Sequence, residues 1–319
     1  MAENRKRKRG LSLTGLKPYY IIITIIIILL VITLVLLKNG RDVYLPDEKP
    51  GVEEMPALKP VFPEKPVAEK PGGHSIKPSG IPEKPEVEKM GSLAFVIDDV
   101  GNNLDQLKYF LKIPYPVTFA IMPDRAYSAE CAELITAAGQ KYILHQPMEA
   151  INGEDPGASA IRTGMSRQEI REILEHNFNQ LPDALGMNNH MGSKATTDPE
   201  VMDAVMEYLA EKDLFFLDSY TISNSLGVEA ASKHHVRYLK RNSMFLDNDK
   251  DHESIMHAIN EGAKIAGKKS HAVMIGHIMT GELADSMLEL YPNFIEDGFS
   301  LREISEIFIE MSKPDIVED

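Results

Sequence analysis

Residues 19–37 constrain the chain most, because they read YYIIITIIIILLVITLVLL without a charged side chain. In a helix that rises about 1.5 Å per residue, this segment spans roughly 28 Å, which matches the hydrocarbon core of a bilayer. Its near-uniform Ile, Leu and Val content gives it no polar face with which to lie on a soluble core. We therefore predict one transmembrane helix over residues 19–37.

The basic residues are unevenly placed around this span. Six of them lie within residues 1–18, whereas only Lys38 and Arg41 follow the span closely. The positive-inside rule then predicts that residues 1–18 form a basic cytoplasmic segment and that the rest lies outside a single-pass cell membrane anchor. A cleaved signal peptide is the alternative, but its apolar region would be shorter and would end in small residues, whereas residues 36–40 read LLKNG. We favour an uncleaved signal anchor.

Residues 38–91 form a Pro-, Glu- and Lys-rich segment that contains ten of the twenty prolines of the chain. The unit Glu-Lys-Pro recurs four times in it. Because proline fixes φ and removes a hydrogen-bond donor, neither a helix nor a sheet is expected here. We predict an extended linker that reaches up to roughly 150 Å in a polyproline II conformation.

Residues 92–319 differ in charge from the part before them. They carry 19 basic and 37 acidic residues, a net charge of −18, against −14 for the whole chain. Such an acidic domain is not expected to bind nucleic acid. Cys131 is the one cysteine, so an intramolecular disulfide is impossible. The sequence has no Gly-x-Gly-x-x-Gly after its first strand and no Walker motif, so we expect no nucleotide cofactor.

Apolar strand-like runs alternate with helical patterns across this domain, which predicts parallel strands joined by helical crossovers. Ser166-x-x-Glu169 and Thr197-x-x-Glu200 match the capping box that opens a helix. The spacing alone fits either a barrel or a doubly wound sheet. The predicted strands are 93–97, 117–121, 142–144, 184–187, 214–217, 236–239 and 272–275.

Ionisable side chains follow several of these strands. The carboxyl ends of parallel strands meet at one mouth, where α/β barrels place their active sites. A helix cap or a hydrogen-bonded polar residue would explain any one of these positions, but the joint pattern favours a metal site. Asp plus two His is a common ligand set for zinc. The strand-end residues include Asp98, Asp99, His145, Glu149, Asn189, His190, Ser193, Asp218 and His277.

Together these motifs resemble the divergent polysaccharide deacetylase family, a branch of the carbohydrate esterase superfamily. The resemblance covers about residues 92–310. It implies a distorted (β/α)7 barrel over residues 92–319, preceded by the transmembrane helix and the linker. The motifs are FVIDDVG at 95–101, HQPME at 145–149, NNHMGS at 188–193, FLDS at 216–219 and FLDN at 245–248.

The resemblance also implies roles. Asp98 is the general base and Asp99 binds a divalent metal, expected to be zinc. The two histidine ligands of the superfamily usually share one motif, four residues apart, whereas here we assign His145 and His190, which follow different strands. His277, in Ile-Gly-His at 275–277, matches the superfamily's acid loosely. We expect the substrate to be bound by Glu149, Asn189, Ser193, Asp218 and Asp247.

The expected function is that of a membrane-anchored, metal-dependent hydrolase that removes acetyl groups from peptidoglycan or a similar N-acetylated polysaccharide. An inactive glycan-binding module on the same barrel is the main alternative. A phosphatase with an aspartyl nucleophile is disfavoured, because that chemistry uses Asp-x-Asp and the residue after Asp99 is Val100.

Overall fold

The computed structural model describes residues 90–311. The predicted cytoplasmic segment, the predicted anchor at 19–37 and nearly all of the predicted linker lie outside these residues. Within residues 90–311, no helix combines the length and the hydropathy that a membrane span requires.

The eight strands form one sheet, and every pair of neighbours in it is parallel. Seven strands follow one another in the order β6-β5-β4-β3-β2-β1-β7 and curl into a nearly closed barrel. The eighth strand pairs with the first half of β1. The strands are β1 Gly91–Val100, β2 Thr118–Ile121, β3 Lys141–Met148, β4 Gly186–Met191, β5 Phe215–Asp218, β6 Tyr238–Lys240, β7 His271–His277 and β8 Phe299–Arg302.

Helices cover the outer face of the barrel, where their apolar sides pack on alternate strand residues such as Phe95, Phe119 and Met274. The capping box predicted at Ser166 is confirmed, because its hydroxyl accepts from the Glu169 N–H while the Glu169 carboxylate accepts from the Ser166 N–H. The helices are α1 Leu104–Phe110, α2 Ser128–Ala137, α3 Arg167–Gln180, α4 Pro199–Glu211, α5 Gly227–His234, α6 His252–Lys269, α7 Gly281–Glu296 and α8 Ile304–Met311.

The inward face of the barrel is filled by a separate apolar cluster that includes Val96, Ile143 and Ile275. Helix α8 contributes Ile304 and Ile307 to this cluster and contacts β1. The helix therefore plugs the end where the strands begin, which leaves the carboxyl ends of the strands as the accessible mouth.

The barrel is not closed by a β6–β7 ladder. Instead, the irregular segment after β6 lies against β7, where the Leu246 N–H donates to the Ile275 carbonyl and the Asn242 side chain accepts from the Val273 N–H. This contact places Asp247 beside the end of β7.

One local prediction needs correction, and one strand was not predicted. Helix α4 is capped by Asp198, which accepts from the N–H groups of Glu200 and Val201, so the capping box predicted at Thr197 is wrong. The short strand β8 was not predicted, because residues 299–302 (FSLR) are too few to show a periodicity.

Candidate metal centre

Asp98 and Asp99 both lie at the mouth because β1 contains a bulge. Successive residues of a regular strand point to opposite faces, so only one of the two would face inward. The register of β1 against β2 shifts between Ile97 and Val100, and Asp99 adopts a left-handed conformation with φ of 63°. Asp tolerates this region better than most residues. The extra residue turns the Asp99 carboxylate towards the histidines.

Asp99, His145 and His190 bring three candidate ligand atoms to one point. Asp99 Oδ1 lies 3.2 Å from His145 Nε2 and 3.0 Å from His190 Nδ1, and the two ring nitrogens lie 3.2 Å apart. Ligands of a tetrahedral zinc ion at about 2.0–2.1 Å lie roughly 3.3 Å from one another. The triangle therefore has the size that such an ion requires.

The carboxylate itself points to a cation. Asp99 Oδ1 is buried and has no partner with hydrogen-bond geometry among the described residues. A buried polar atom without a partner costs free energy unless something binds it. Burial raises the pKa of Asp99, but the adjacent imidazoles outweigh it and hold that pKa well below its usual range. Within residues 90–311, these three residues form the group of His, Cys, Asp or Glu side chains whose ligand atoms lie close enough together to hold a metal ion.

His145 is oriented by Asn188, which lies opposite it in the β3–β4 ladder. The Asn188 Oδ1 atom is 2.7 Å from His145 Nδ1, and the Asn188 amide nitrogen donates to Asp98 Oδ1 at 2.9 Å and to Ser219 Oγ at 3.2 Å. A hydrogen bond at the second ring nitrogen of a metal-binding histidine fixes its tautomer and its ring orientation.

Asp98 is buried beside this centre, with its Oδ2 atom 3.7 Å from His145 Nε2. Burial raises the pKa of Asp98 above its ordinary value, and the charges of His145 and His277 oppose the increase. A carboxylate whose pKa is raised is better suited to accept a proton near neutral pH.

His277 ends β7 and is held by Asp247 from the segment that bridges the barrel gap. Its Nδ1 atom lies 2.9 Å from Asp247 Oδ1, and its backbone N–H and the Thr280 hydroxyl both donate to Asp247 Oδ2. Burial lowers the pKa of His277, but the hydrogen bond to Asp247 and the charges of Asp98, Asp247 and Asp99 outweigh it and raise the pKa to about 9. His277 is therefore a cation at neutral pH.

Phe245 and Arg241 form a wall beside His277. The rings of Phe245 and His277 lie 5.4 Å apart, and the Arg241 guanidinium lies 3.9 Å from the centre of the Phe245 ring. Arg241 donates to the carbonyls of Ser219 and Tyr220, which fixes it at the ends of β5 and β6.

Glu149 and Ser193 were predicted to bind substrate, and in the structure both side chains accept hydrogen bonds from loop residues. Glu149 accepts from Lys194 and from both the N–H and the hydroxyl of Thr163, which lowers its pKa to about 2. Ser193 accepts from the Ile151 N–H. These contacts join the loops that follow β3 and β4.

Asn189 and Asp218, also predicted to bind substrate, have buried side chains. Asn189 donates to the Met191 carbonyl and accepts from the Ser219 N–H. Asp218 accepts from the Tyr220 N–H and from two side-chain hydroxyls, those of Ser225 and Tyr238. Both side chains hold the backbone and the β5–α5 loop, and a direct substrate contact stays a prediction for each. Asp247 was predicted to bind substrate as well, and its carboxylate is hydrogen-bonded to the backbone N–H and the ring of His277.

The residues that the sequence reasoning missed are Asn188 and Arg241. Strand alternation was the signal that could have found them. Asn188 is two residues before His190 and shares its face, whereas Asn189 faces the opposite way. Arg241 is two residues after Leu239, which lies in the inward-facing cluster.

Comparison with known proteins places the chain in a family. Residues 95–308 match the model of the divergent polysaccharide deacetylase family, and the chain belongs to it. The chain is 35% identical over 185 residues to an uncharacterized protein of Haemophilus influenzae and 34% identical over 187 residues to one of Escherichia coli. These matches cover 58% and 59% of this chain and 66% and 58% of those proteins.

The fold also occurs in a solved structure with low sequence identity. It is that of an uncharacterized protein from Agrobacterium tumefaciens, with a TM-score of 0.64 and 16% sequence identity. The superposition covers 71% of this chain and 92% of that chain.

Proposed function

We propose that this chain is a membrane-anchored, metal-dependent hydrolase that removes acetyl groups from an N-acetylated cell-wall or extracellular polysaccharide such as peptidoglycan. Membership of the deacetylase family supports the substrate class. The observation that carries the proposal is the triangle of Asp99, His145 and His190 ligand atoms beside Asp98 and His277.

The donor set favours zinc. Two imidazoles and one carboxylate are typical of catalytic zinc sites, which keep a further position for water or substrate. A bound divalent ion supplies Lewis-acid polarisation of the acetamide carbonyl and of water. His145 and Asp99 are largely buried, whereas His190 is partly exposed, so the open side of the site faces solvent.

Asp98 accepts the proton that the attacking water must lose. It is held in place by the Asn188 amide, and its second oxygen lies 3.7 Å from the histidine ligand nitrogen. Its raised pKa makes it a stronger base than an exposed aspartate.

His277 donates a proton to the leaving amine. Its Nδ1 atom binds Asp247, so Nε2 is the atom that transfers the proton. The pKa of about 9 keeps the imidazole protonated at neutral pH. Asp98 and His277 are register partners across β1 and β7, which places a base and an acid on neighbouring strands at one mouth.

The anchoring part of the proposal rests on the sequence. The apolar span at 19–37 and the basic residues before it support a cytoplasmic N-terminus, and the proline-rich segment supports a linker that holds the domain away from the membrane.

The test is to purify the full chain in a mild detergent, to measure its metal content, and to measure acetate release from N-acetylated glycans before and after chelation. Zinc near one equivalent and acetate release that is lost on chelation and restored by zinc are the expected results. Asp99→Ala should lose both properties. Asp218→Asn, which changes a buried strand-end aspartate outside the site, is the matched control and should keep metal. Stoichiometric metal with glycan binding but no acetate release would instead indicate the glycan-binding module.

A further inference from the structure

The side chain of Asn188 is hydrogen-bonded both to the proposed base, Asp98, and to a proposed metal ligand, His145. It is fully buried, its Oδ1 faces His145 Nδ1 at 2.7 Å, and its Nδ2 faces Asp98 Oδ1 at 2.9 Å and Ser219 Oγ at 3.2 Å. No other described side chain is hydrogen-bonded to both Asp98 and His145. We infer that Asn188 is the positioning residue that fixes the tautomer of His145 and the orientation of Asp98 together.

The direction of the amide follows from its partners. The Asp98 carboxylate, in the ionised form that a base requires, can only accept hydrogen bonds. The amide nitrogen of Asn188 must therefore face Asp98, since the flipped side chain would place its oxygen against a carboxylate oxygen. The Asn188 oxygen then faces His145.

The tautomer of His145 follows in turn. An amide oxygen can only accept, so His145 Nδ1 must carry the proton, and the lone pair of the neutral ring lies on Nε2. Nε2 is the atom that lies 3.2 Å from both Asp99 Oδ1 and His190 Nδ1. One asparagine therefore makes His145 competent as a ligand and holds Asp98 beside it.

Ser219 holds the asparagine in place. Its hydroxyl accepts from Asn188, while its backbone N–H donates to Asn189, the neighbouring residue on the opposite face of β4. The end of β5 thus contacts both faces of β4 at this point. The Asn188 side chain cannot move without breaking contacts to β1, to β3 and to the residue that follows β5.

Substitutions at Asn188 separate its two roles. Asn188→Asp keeps an oxygen that accepts from His145 but loses the donor to Asp98 and places a second carboxylate against it. Asn188→Leu has a similar volume and loses both contacts. Asn189→Asp is the matched control, because it introduces the same charge at an adjacent, equally buried position that faces away from the site.

The first measurement needs no variant. Burial lowers the pKa of His145, but Asp98 and Asp99 outweigh it and raise that pKa, so the measurement needs a pH high enough for a neutral ring. Histidine-selective ¹⁵N labelling of the metal-free full chain at such a pH, with the His145 signals assigned by His145→Gln, should show the proton on Nδ1. The same tautomer is expected in Asn188→Asp and Asn189→Asp, and a mixture of tautomers in Asn188→Leu. A neutral His145 ring that carries its proton on Nε2 in the wild type would overturn the inference, whatever the activity of the protein.

The second measurement is zinc affinity by competition with a chelator, beside acetate release. We expect Asn188→Leu to bind zinc about 10–100-fold more weakly than wild type, the usual effect of losing such a contact. Asn188→Asp should stay within a few-fold of wild type in zinc affinity but lose at least about 10²-fold in acetate release, the typical contribution of a general base.

Equal zinc affinity in wild type and Asn188→Leu would overturn the inference. The catalytic consequence rests on the proposed function, but the tautomer and the affinity do not. A wild type that shows the expected tautomer and affinities without acetate release would therefore refute only the proposed function.

Discussion

The Asp247→Asn substitution removes the negative charge that faces His277 and changes the size of the side chain very little. In the wild type, Asp247 accepts three hydrogen bonds, from the backbone and the ring of His277 and from Thr280. In the variant, the amide oxygen can keep the contacts to the His277 N–H and Thr280. The amide nitrogen then faces His277 Nδ1 and donates to it, which favours the neutral imidazole.

The expected effect follows from the two pKa values. His277 has a pKa of about 9 in the wild type, against the ordinary 6.5. At pH 7.5, these values correspond to ~97% and ~9% protonated imidazole, so the variant loses ~10-fold of its acid form. Acetate release should fall by at least that factor at pH 7.5, by more near pH 9, and by little below pH 6.

Two assays check this reasoning. A proton NMR titration of the metal-free chain should show His277 titrating near pH 9 in the wild type and at or below about 6.5 in Asp247→Asn. We expect the kcat/KM of the wild type, divided by that of Asp247→Asn, to rise with pH when both are measured from pH 5.5 to 9.5. Asp218→Asn, in a buried aspartate that does not contact His277, should leave both measurements unchanged.

Stability provides a third check, again without metal. The folded-state pKa of His277 is raised, so its contribution to the free energy of unfolding is full below pH 6.5 and is lost as the pH rises through about 9. The stability difference between wild type and Asp247→Asn should shrink across that window. A His277 that titrates near 6.5 in the wild type, or a variant that still titrates near 9, would refute the reasoning.

Three further predictions concern other parts of the chain. Asp98→Asn should keep zinc at wild-type stoichiometry while turnover falls by about 10²–10⁴-fold, whereas Asp99→Ala should lose the metal. Metal analysis and acetate release are measured on both variants, and equal metal content in the two would contradict the assignment. Gly186→Ala should destabilise the domain by about 1–3 kcal/mol in urea unfolding, because its Cβ would lie 2.4 Å from the Phe215 carbonyl oxygen, whereas Gly267→Ala, in the open part of α6, should stabilise it by ~0.5–1 kcal/mol. Deleting residues 50–85 should leave the melting temperature of the domain unchanged, and a large decrease would mean that the predicted linker packs on the domain.

The main strands of the barrel could be predicted from sequence because each is a short, apolar run with a clear end. The runs at 93–97 and 272–275 became the central parts of β1 and β7, and the polar residues directly after them became Asp98 and His277 at the mouth. The gathering of Asp99, His145 and His190 was also predicted, since the ends of parallel strands meet at one edge.

The finer contacts could not be assigned in this way. Asn189 was chosen over Asn188 because a motif shows which residue types are present, whereas only the register of β4 against β3 shows which of the two faces inward. Asp247 was expected to bind substrate, but the segment that carries it is irregular, so no periodicity could reveal that it would lie against His277.

The sequence by itself determined which residues form strands and which strand ends carry ionisable groups, because burial and alternation are local properties of the chain. Only the tertiary structure decided that Asp98 and Asp99 both reach the site, since that depends on a bulge in the ladder between β1 and β2. It also decided that Asp247 holds His277 and that Asn188 joins the base to a ligand. These contacts link residues 30 and 90 positions apart, and they exist only once the barrel has brought their strands together.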